Sequence, residues 1–319
     1  MTAIEERHDP RPRMLFLRDY QRFSGGHLKY LHYLGHALAH GRFRPLLHVT
    51  GQSLPELDRM IPDGVARVSL PHPCEAIFVA GRDWALLDAA GQQTDRVPVI
   101  NLVQGVRHGD PDFPQYKFLT RPALRLCVSQ QVADAITATG RVNGPVEVIE
   151  NGIELTYLAR LRDASAPSGI VIAAQKAPAL GRQISEALAA QGVRATLLDS
   201  HIPRETFLTW LAEAEIAILL PEPSEGFFLP ALEAMALGCA VVTVDCIGAR
   251  GFAIDGETCL YAPRDPQALA EAALGLLARP ARTAQLRAAG LRMAARHSLA
   301  AERRAAFALL DRFADRFAL

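Results

Sequence analysis

Short apolar runs alternate with helix-like patterns along most of the chain. The run Met14–Leu17 is followed by others at Pro45–Val49, Ala76–Ala80 and Val97–Val103, and between many of the runs apolar residues recur at three- and four-residue steps. Short aliphatic runs are typical of buried parallel strands, and the 3.6-residue period is typical of amphipathic helices. The alternation predicts an α/β fold built on parallel sheets.

The first half begins with a strand, a glycine loop and a helix. The run Met14–Leu17 leads into Ser24-Gly25-Gly26, and a helical pattern extends from there over residues 27–40, with Gly41 as its stop. This order is typical of the start of a Rossmann-like domain. The remaining strands of this half are predicted at Ala66–Leu70, Leu124–Val128 and Val146–Ile149.

The second half repeats the alternation after a hydrophilic stretch at residues 161–168. Gly169–Ala174 predicts its first strand, and Ala240–Val244 predicts a later buried one. The other strands are predicted at residues 195–199, 215–220 and 260–261, and the helices at residues 179–192, 204–214, 266–278, 282–296 and 299–317. The pattern therefore predicts a second parallel-sheet domain.

One stretch, Pro223–Val242, carries two carboxylates at a fixed spacing. Glu225 precedes a predicted helix and Glu233 lies two turns inside it, which gives the pattern Glu-x7-Glu. The helix start at Gly226 and Phe227 is expected to offer free backbone N–H groups to an anion such as a diphosphate. The spacing alone also fits an ordinary helix with two solvated carboxylates.

The residues between and around these glutamates resemble a known motif. The segment Glu225–Gly238 reads Glu-Gly-Phe-Phe-Leu-Pro-Ala-Leu-Glu-Ala-Met-Ala-Leu-Gly and is similar to the donor-site signature of family-four glycosyltransferases, the retaining enzymes of GT-B fold. Weaker matches follow the family's order over most of both halves. They are Gly25-Gly26, Ser129–Val132, Val148–Glu154, Asp255–Leu260, in which Cys259 replaces the usual glycine, and Asp265–Ala270.

The resemblance implies the domain organisation. It predicts two Rossmann-like domains that face each other across a cleft, with an acceptor domain over residues 1–160 and a nucleotide-sugar donor domain over residues 161–298. A last helix, residues 299–319, is expected to cross back to the first domain.

The resemblance also implies roles in donor binding. Glu225 would lie beside the donor sugar or stabilise developing charge, and Glu233 would bind the ribose hydroxyls. The diphosphate would be held at the helix start by Gly226, Phe227, Phe228 and Leu229. Phe228 stands where the family often has glycine, so we expect a more crowded site.

The phosphate-binding loop departs from the family's pattern. Gln175 and Leu180 occupy the places where the family has an arginine and a lysine. Lys176 and Arg182 lie close enough in sequence to substitute, and Lys176 is the hypothesis for this role; the alternative is a solvated loop lysine. Cations and helix N–H groups can stabilise a leaving diphosphate, so we expect neither a metal nor a further cofactor.

In the first half, Gln104 follows a predicted strand where many family members have histidine. A subset of the family carries glutamine there, so Gln104 is predicted to contact the donor sugar, and His108 is a second catalytic candidate. A loop histidine is more often merely solvated. Gly25 and Gly26 match the family's glycine loop and are predicted ligand contacts, although the same loop also fits a plain turn.

Three histidines, His32, His36 and His40, are spaced i, i+4, i+8 on the first helix. Adjacent histidines at this spacing can bind a metal. Since no carboxylate or cysteine accompanies them at matching spacing, we predict a polar stripe and no metal site.

Composition narrows the class further. The formal net charge is zero, which argues against a nucleic-acid partner. Five cysteines without a C-x-x-C pair predict free thiols, buried at Cys127, Cys239 and Cys246.

The sequence of residues 1–12 predicts a tail and not a signal peptide, and no apolar run reaches 18 residues. We therefore expect a cytoplasmic protein. Peripheral membrane contact and homo-oligomerisation stay open.

The expected function is the transfer of a sugar from a UDP-, GDP- or TDP-sugar, with retention, to a glycan, a lipid-linked glycan or a small aglycone. An alternative is a non-catalytic member of the fold that binds sugar nucleotides or glycans as a partner subunit; the departures at Gln175 and Leu180 favour it, and the intact Glu225 and Glu233 oppose it. A Rossmann dehydrogenase ranks last because no G-x-G-x-x-G follows the first strand.

Overall fold

The computed structural model describes residues 9–319, so residues 1–8 of the predicted tail lie outside the described residues. The chain forms two compact units. Unit 1 comprises the chain up to Glu150 together with Ala300–Leu319, and unit 2 comprises Asn151–Leu299. Residues 151–160, which the sequence analysis assigned to the first domain, therefore lie in unit 2.

Unit 1 is built on a seven-stranded parallel sheet in the order β3-β2-β1-β4-β5-β6-β7. Its strands are β1 (Arg13–Arg18), β2 (Arg44–Val49), β3 (Ala66–Arg67), β4 (Ala76–Ala80), β5 (Val99–Val103), β6 (Leu124–Cys127) and β7 (Val146–Val148). Its first helices are α1 (Gly25–His40), α2 (Asp83–Ala89) and α3 (Gln130–Thr137), with 3₁₀ turns at Pro55–Arg59, Val106–Gly109 and Tyr116–Thr120.

Local sequence explains where the main helices of unit 1 begin and end. The Ser24 hydroxyl accepts a hydrogen bond from the His27 N–H, which caps α1, and Ser129 caps α3 in the same way. Gly41 ends α1 with φ of 79°, in the left-handed region that glycine tolerates. Gly41 confirms the predicted stop of α1, whereas the helix begins at Gly25, inside the stretch Ser24–Gly26 that was predicted as a loop.

Unit 2 is built on a five-stranded parallel sheet in the order β12-β11-β10-β8-β9. Its strands are β8 (Ile170–Ala173), β9 (Ala195–Leu198), β10 (Ile216–Leu219), β11 (Ala240–Thr243) and β12 (Leu260–Tyr261). Its helices are α4 (Leu155–Asp163), α5 (Pro178–Ala190), α6 (Arg204–Glu213), α7 (Leu229–Ala236), α8 (Pro266–Leu277) and α9 (Pro280–Ala295). A 3₁₀ turn lies at Ile247–Ala249, and α10 (Leu299–Phe317) follows α9.

Two helices differ from the sequence prediction. α4 was not predicted, and its last three residues fall in the predicted hydrophilic separator, residues 161–168; its buried residue is Leu158, and its charged residues are not buried. α2 was not predicted, since its seven residues are too few for a helical period to stand out.

The core of unit 2 covers both faces of its sheet. The central strands β8, β10 and β11 are buried along their whole length, as continuous aliphatic runs require. One apolar cluster includes α6 and α7, and the other includes α5 and α8. The loops at the carboxyl ends of the strands are thereby held on a rigid frame.

The last helix is part of unit 1 from Ala300 onward. Its residues Ala306, Leu309, Leu310 and Phe313 are buried, and the Phe313 ring lies 6.4 Å from that of Phe43. The apolar face that the sequence shows on this helix is thus covered within unit 1.

Candidate functional site

Strand order in unit 2 creates a switch point between β8 and β10. From β8 the chain passes to β9 on one side, and it then returns to form β10 on the other side. Ligands of open parallel sheets bind at the carboxyl ends of the strands that flank such a point. The loop after β8 contains Lys176, and the loop after β10 contains Glu225.

The structure brings these two side chains together. The Lys176 ammonium donates a hydrogen bond to Glu225 Oε1 and forms an ion pair with it. Lys176 also lies 5.9 Å from the centre of the Phe228 ring. The Lys176 side chain is about half exposed and that of Glu225 is 18% exposed, so the pair borders solvent that a ligand can displace.

A glycine that the sequence analysis did not single out supports the Glu225 loop. A Cβ on Gly248 would lie 2.5 Å from both the Glu225 carbonyl oxygen and the Phe227 nitrogen. A real Cβ atom does not approach other atoms this closely, so only glycine allows the 3₁₀ turn Ile247–Ala249 to approach the loop. Nothing in the local sequence marks this glycine, because its contact lies more than twenty residues away along the chain.

Helix α7 begins later than predicted. Its first residue is Leu229, so Glu233 lies just over one turn inside it and not two turns. The Phe228 N–H donates to the Gly248 carbonyl at 3.4 Å, and the Leu229 N–H donates to the Phe227 carbonyl at 3.1 Å. Two of the predicted diphosphate-binding amides, those of Phe228 and Leu229, thus have backbone partners, and Gly226 and Phe227 precede the helix.

Glu233 is almost fully buried, with 1% of its surface exposed. Its Oε1 accepts a hydrogen bond from Arg204 Nη2 at 2.6 Å. Arg204 is the first residue of α6, and the sequence analysis did not single it out. The two signature glutamates therefore each have a cationic partner, Lys176 for Glu225 and Arg204 for Glu233.

Arg182 is directed to a different partner. It lies on α5 and pairs with Asp199 at 2.7 Å, just beyond β9. Gly181 packs α5 against the end of β8, since a Cβ there would lie 3.0 Å from Leu197 Cδ1 and would overlap the Ala174 side chain. Of the two candidate phosphate cations, the structure places Lys176, and not Arg182, in contact with Glu225.

In unit 1, the glycine loop contacts Gln104. Gln104 Nε2 donates to the Gly26 carbonyl at 3.0 Å, and a Cβ on Gly26 would lie 3.2 Å from Gln104 Oε1. Gly25 and Gly26 are the first two residues of α1, so the glycine loop is the start of that helix. The loop and the end of β5 thus form one structural feature.

His108 lies on the 3₁₀ turn after β5 and is 8% exposed. Burial, and to a smaller extent the nearby Arg125 guanidinium, lowers the pKa of its imidazole to about 4. The ring is therefore neutral at pH 7. The expectation that a loop histidine is more often merely solvated is wrong for His108.

The histidine stripe on α1 contacts the last helix within unit 1. His36 Nε2 lies 3.0 Å from Glu302 Oε1, and His40 Nε2 lies 3.0 Å from Asp311 Oδ1. Across residues 9–319 no group of three or more His, Cys, Asp or Glu side chains is placed to hold a metal ion. His36 and His40 thus each have a carboxylate partner on the last helix.

Residues 156–279 match the family model of group 1 glycosyl transferases. They lie within unit 2 and include Lys176, Glu225 and Glu233. A search of curated proteins found no match to this chain.

Solved structures resemble the chain over most of its length. HepE from Anabaena, in complex with UDP-glucose, is 16% identical with a TM-score of 0.70, over 94% of this chain and 99% of that one. Sucrose-phosphate synthase from Thermosynechococcus elongatus is 17% identical with a TM-score of 0.69, over 97% and 100%. A glycosyltransferase from Rickettsia africae is 13% identical with a TM-score of 0.66, over 96% and 99%. These likenesses show the GT-B fold.

Unit 2 therefore contains the segment that matches group 1 glycosyl transferases, in a chain of GT-B fold with two Rossmann-like units. By class the protein is a glycosyltransferase.

Among residues 9–319, none of the helices combines the length and apolar character needed to cross a bilayer.

Proposed function

We propose that this glycosyltransferase moves a sugar from a nucleoside diphosphate donor to a glycan, a lipid-linked glycan or a small aglycone, with retention and without a metal ion. The ion pair between Lys176 and Glu225 at the switch point of unit 2 carries this proposal. It supports the proposal because ligands of open parallel sheets bind at such a switch point, where a cation suits a phosphate and a carboxylate suits a sugar.

Charge develops in two places during such a transfer. As the bond between the anomeric carbon and the diphosphate oxygen breaks, the sugar becomes positive and the leaving diphosphate becomes more negative. Lys176 is suited to the diphosphate, and its exchange from Glu225 to a phosphate oxygen would leave Glu225 facing the sugar. Glu233 would accept hydrogen bonds from the ribose hydroxyls.

Unit 1 supplies the other proposed catalytic residues. The Gln104 side chain keeps its amide oxygen for a sugar hydroxyl while its nitrogen donates to Gly26. The neutral ring of His108 would act as a hydrogen-bonding group and not as a cation.

A second candidate function is a non-catalytic partner subunit that binds sugar nucleotides or glycans. The uncharged residues Gln175 and Leu180 in the phosphate-binding loop favour it. The two functions differ in turnover, because only an enzyme releases free nucleoside diphosphate from a donor.

The test combines binding and turnover. A thermal-shift panel of UDP-, GDP-, TDP- and CMP-sugars shows which donor binds, since a ligand of the native state raises Tm. Release of free nucleotide, measured over hours with that donor, should then be seen in the unmodified protein and lost in Glu225→Gln. Binding without release would support the partner subunit, and no shift with any donor would refute the proposal.

A further inference from the structure

Arg204 stands at a position that ordinarily disfavours a cation. It is the first residue of α6, directly after Pro203, and the residue before the helix provides no side-chain cap. The start of a helix carries partial positive charge, so an arginine there works against the helix dipole. A residue that breaks a local rule is expected to have a compensating contact elsewhere.

That contact is the carboxylate of Glu233. The Glu233 side chain is 2% exposed and the Arg204 side chain is 22% exposed, and their nearest atoms are 2.6 Å apart. A buried carboxylate is unfavourable unless a partner compensates its charge, and Arg204 provides that partner from a neighbouring helix. The pair joins the first turn of α6 to the middle of α7.

From this geometry we propose that Arg204 is a positioning residue for ribose recognition. This inference rests on the proposed function, in which Glu233 binds the ribose hydroxyls. With Oε1 bonded to the guanidinium, the carboxylate is held in one orientation, and Oε2 keeps its acceptor positions for the 2′- and 3′-hydroxyls. The compensated charge also reduces repulsion between Glu233 and the phosphates of the nucleotide.

The inference separates Arg204 from the phosphate cation Lys176. Loss of Lys176 should weaken every diphosphate to a similar extent, whatever the sugar ring of the nucleoside. Loss of Arg204 should mainly reduce the preference for a ribonucleotide over its 2′-deoxy analogue. A purely structural role for Arg204 would lower Tm without changing that preference.

Calorimetry measures Kd for UDP, GDP and their 2′-deoxy analogues with the unmodified protein. The variants are then tested with the nucleotide, UDP or GDP, that binds more tightly and with its 2′-deoxy analogue. We expect the unmodified protein to prefer the ribonucleotide by roughly tenfold or more, as for one hydrogen bond to a charged group. In Arg204→Gln and in Glu233→Gln this ratio should fall toward one. Arg204→Lys should keep part of it, and the control Arg279→Gln, at an exposed arginine of the same unit, should keep all of it.

The double variant Arg204→Gln/Glu233→Gln keeps the test decisive if the single Arg204 variant does not fold, because it removes both buried charges together. If Arg204 acts through Glu233, the double variant binds each nucleotide as Glu233→Gln does. A double variant that binds tenfold more weakly than Glu233→Gln, or a folded Arg204→Gln that keeps the full ratio, overturns the inference. If only a TDP-sugar, which has no 2′-hydroxyl, binds the unmodified protein, the inference fails and the proposed function stands; if no donor of the thermal-shift panel binds, the proposed function itself fails.

Discussion

Single residues in unit 2 determine how the candidate donor site is charged. Lys176 and Glu225 come from loops 49 residues apart and meet at the switch point. Arg204 and Glu233 come from two adjacent helices. Each glutamate of the signature is thus compensated by one cation, although the usual loop cations are replaced by Gln175 and Leu180.

Replacing Lys176 with alanine should weaken nucleoside diphosphate binding by roughly tenfold to a hundredfold, the value of one hydrogen bond to a charged group. Titration calorimetry measures the change. Arg182→Ala is the matched control, because Arg182 pairs with Asp199 and does not contact Glu225. A larger effect at Arg182 than at Lys176 would reverse the assignment of the phosphate cation.

Replacing Gly248 with alanine should displace the Glu225 loop, since the added Cβ overlaps backbone atoms that cannot rotate away. We expect loss of donor binding and a lower Tm, because overpacking of this kind lowers the free energy of unfolding by about 1–3 kcal/mol. Gly51→Ala is the control, because a Cβ there has no atom within 4 Å. Unchanged binding in Gly248→Ala would show that the loop tolerates the displacement.

At the scale of helices and strands, the sequence predicts those elements whose signals are local. Strands β8, β10 and β11 were predicted because buried parallel strands are continuous aliphatic runs, a signal that needs no knowledge of neighbours. The stop of α1 at Gly41 is equally local. The start of α7 was misplaced because Gly248, far along the chain, binds the Phe228 amide and orders the preceding loop as non-helical.

The contact between α1 and α10 in unit 1 contains a buried ion pair. Lys29 and Glu302 form it with side chains that are no more than 1% exposed, and His36 shares the same carboxylate. The ion pair joins a residue of α1 to a residue of α10, so the sequence pattern of neither helix alone predicts it. The sequence signal for this contact was the spacing of the histidines on α1.

Replacing Glu302 with alanine should lower the free energy of unfolding of unit 1 by about 3–5 kcal/mol, because it leaves Lys29 buried without its carboxylate. The double variant Lys29→Met/Glu302→Leu should recover most of that loss, as apolar replacements of buried ion pairs do. Glu147→Ala, which removes an exposed pair with Arg312, should cost about 0–1 kcal/mol. Urea unfolding measures all three; a mild effect of Glu302→Ala would contradict the prediction.

At the scale of the whole molecule, the sequence supported the two-domain α/β architecture but placed the division about ten residues late. The hydrophilic residues of α4 look like a linker because one face of a short surface helix is polar. Within the candidate site, the sequence marks Glu225, Glu233 and Lys176 by their motif and loop positions, whereas Arg204 and Gly248 make contacts that no local spacing encodes.

Acid should destabilise unit 1 through His108. Its pKa is about 4 in the folded state and about 6.5 when the chain is unfolded, so the unfolded state binds the proton first as pH falls. The free energy of folding that the neutral His108 ring contributes is fully present above pH 6.5. It is lost as the pH falls from 6.5 to 4, by up to about 3 kcal/mol. Tm measured over this range should fall less steeply in His108→Gln. Equal slopes in the two proteins would show that other groups dominate.

Unit 1 is discontinuous in the chain, whereas unit 2 is one uninterrupted segment, Asn151–Leu299. During translation, unit 2 can therefore complete its sheet while the α1 surface that surrounds Lys29 still lacks residues 300–319. Until those residues leave the ribosome, Lys29 lacks the carboxylate of Glu302 and the apolar side chains beside it stay uncovered. Chaperones that bind unfinished domains would be expected to cover this surface.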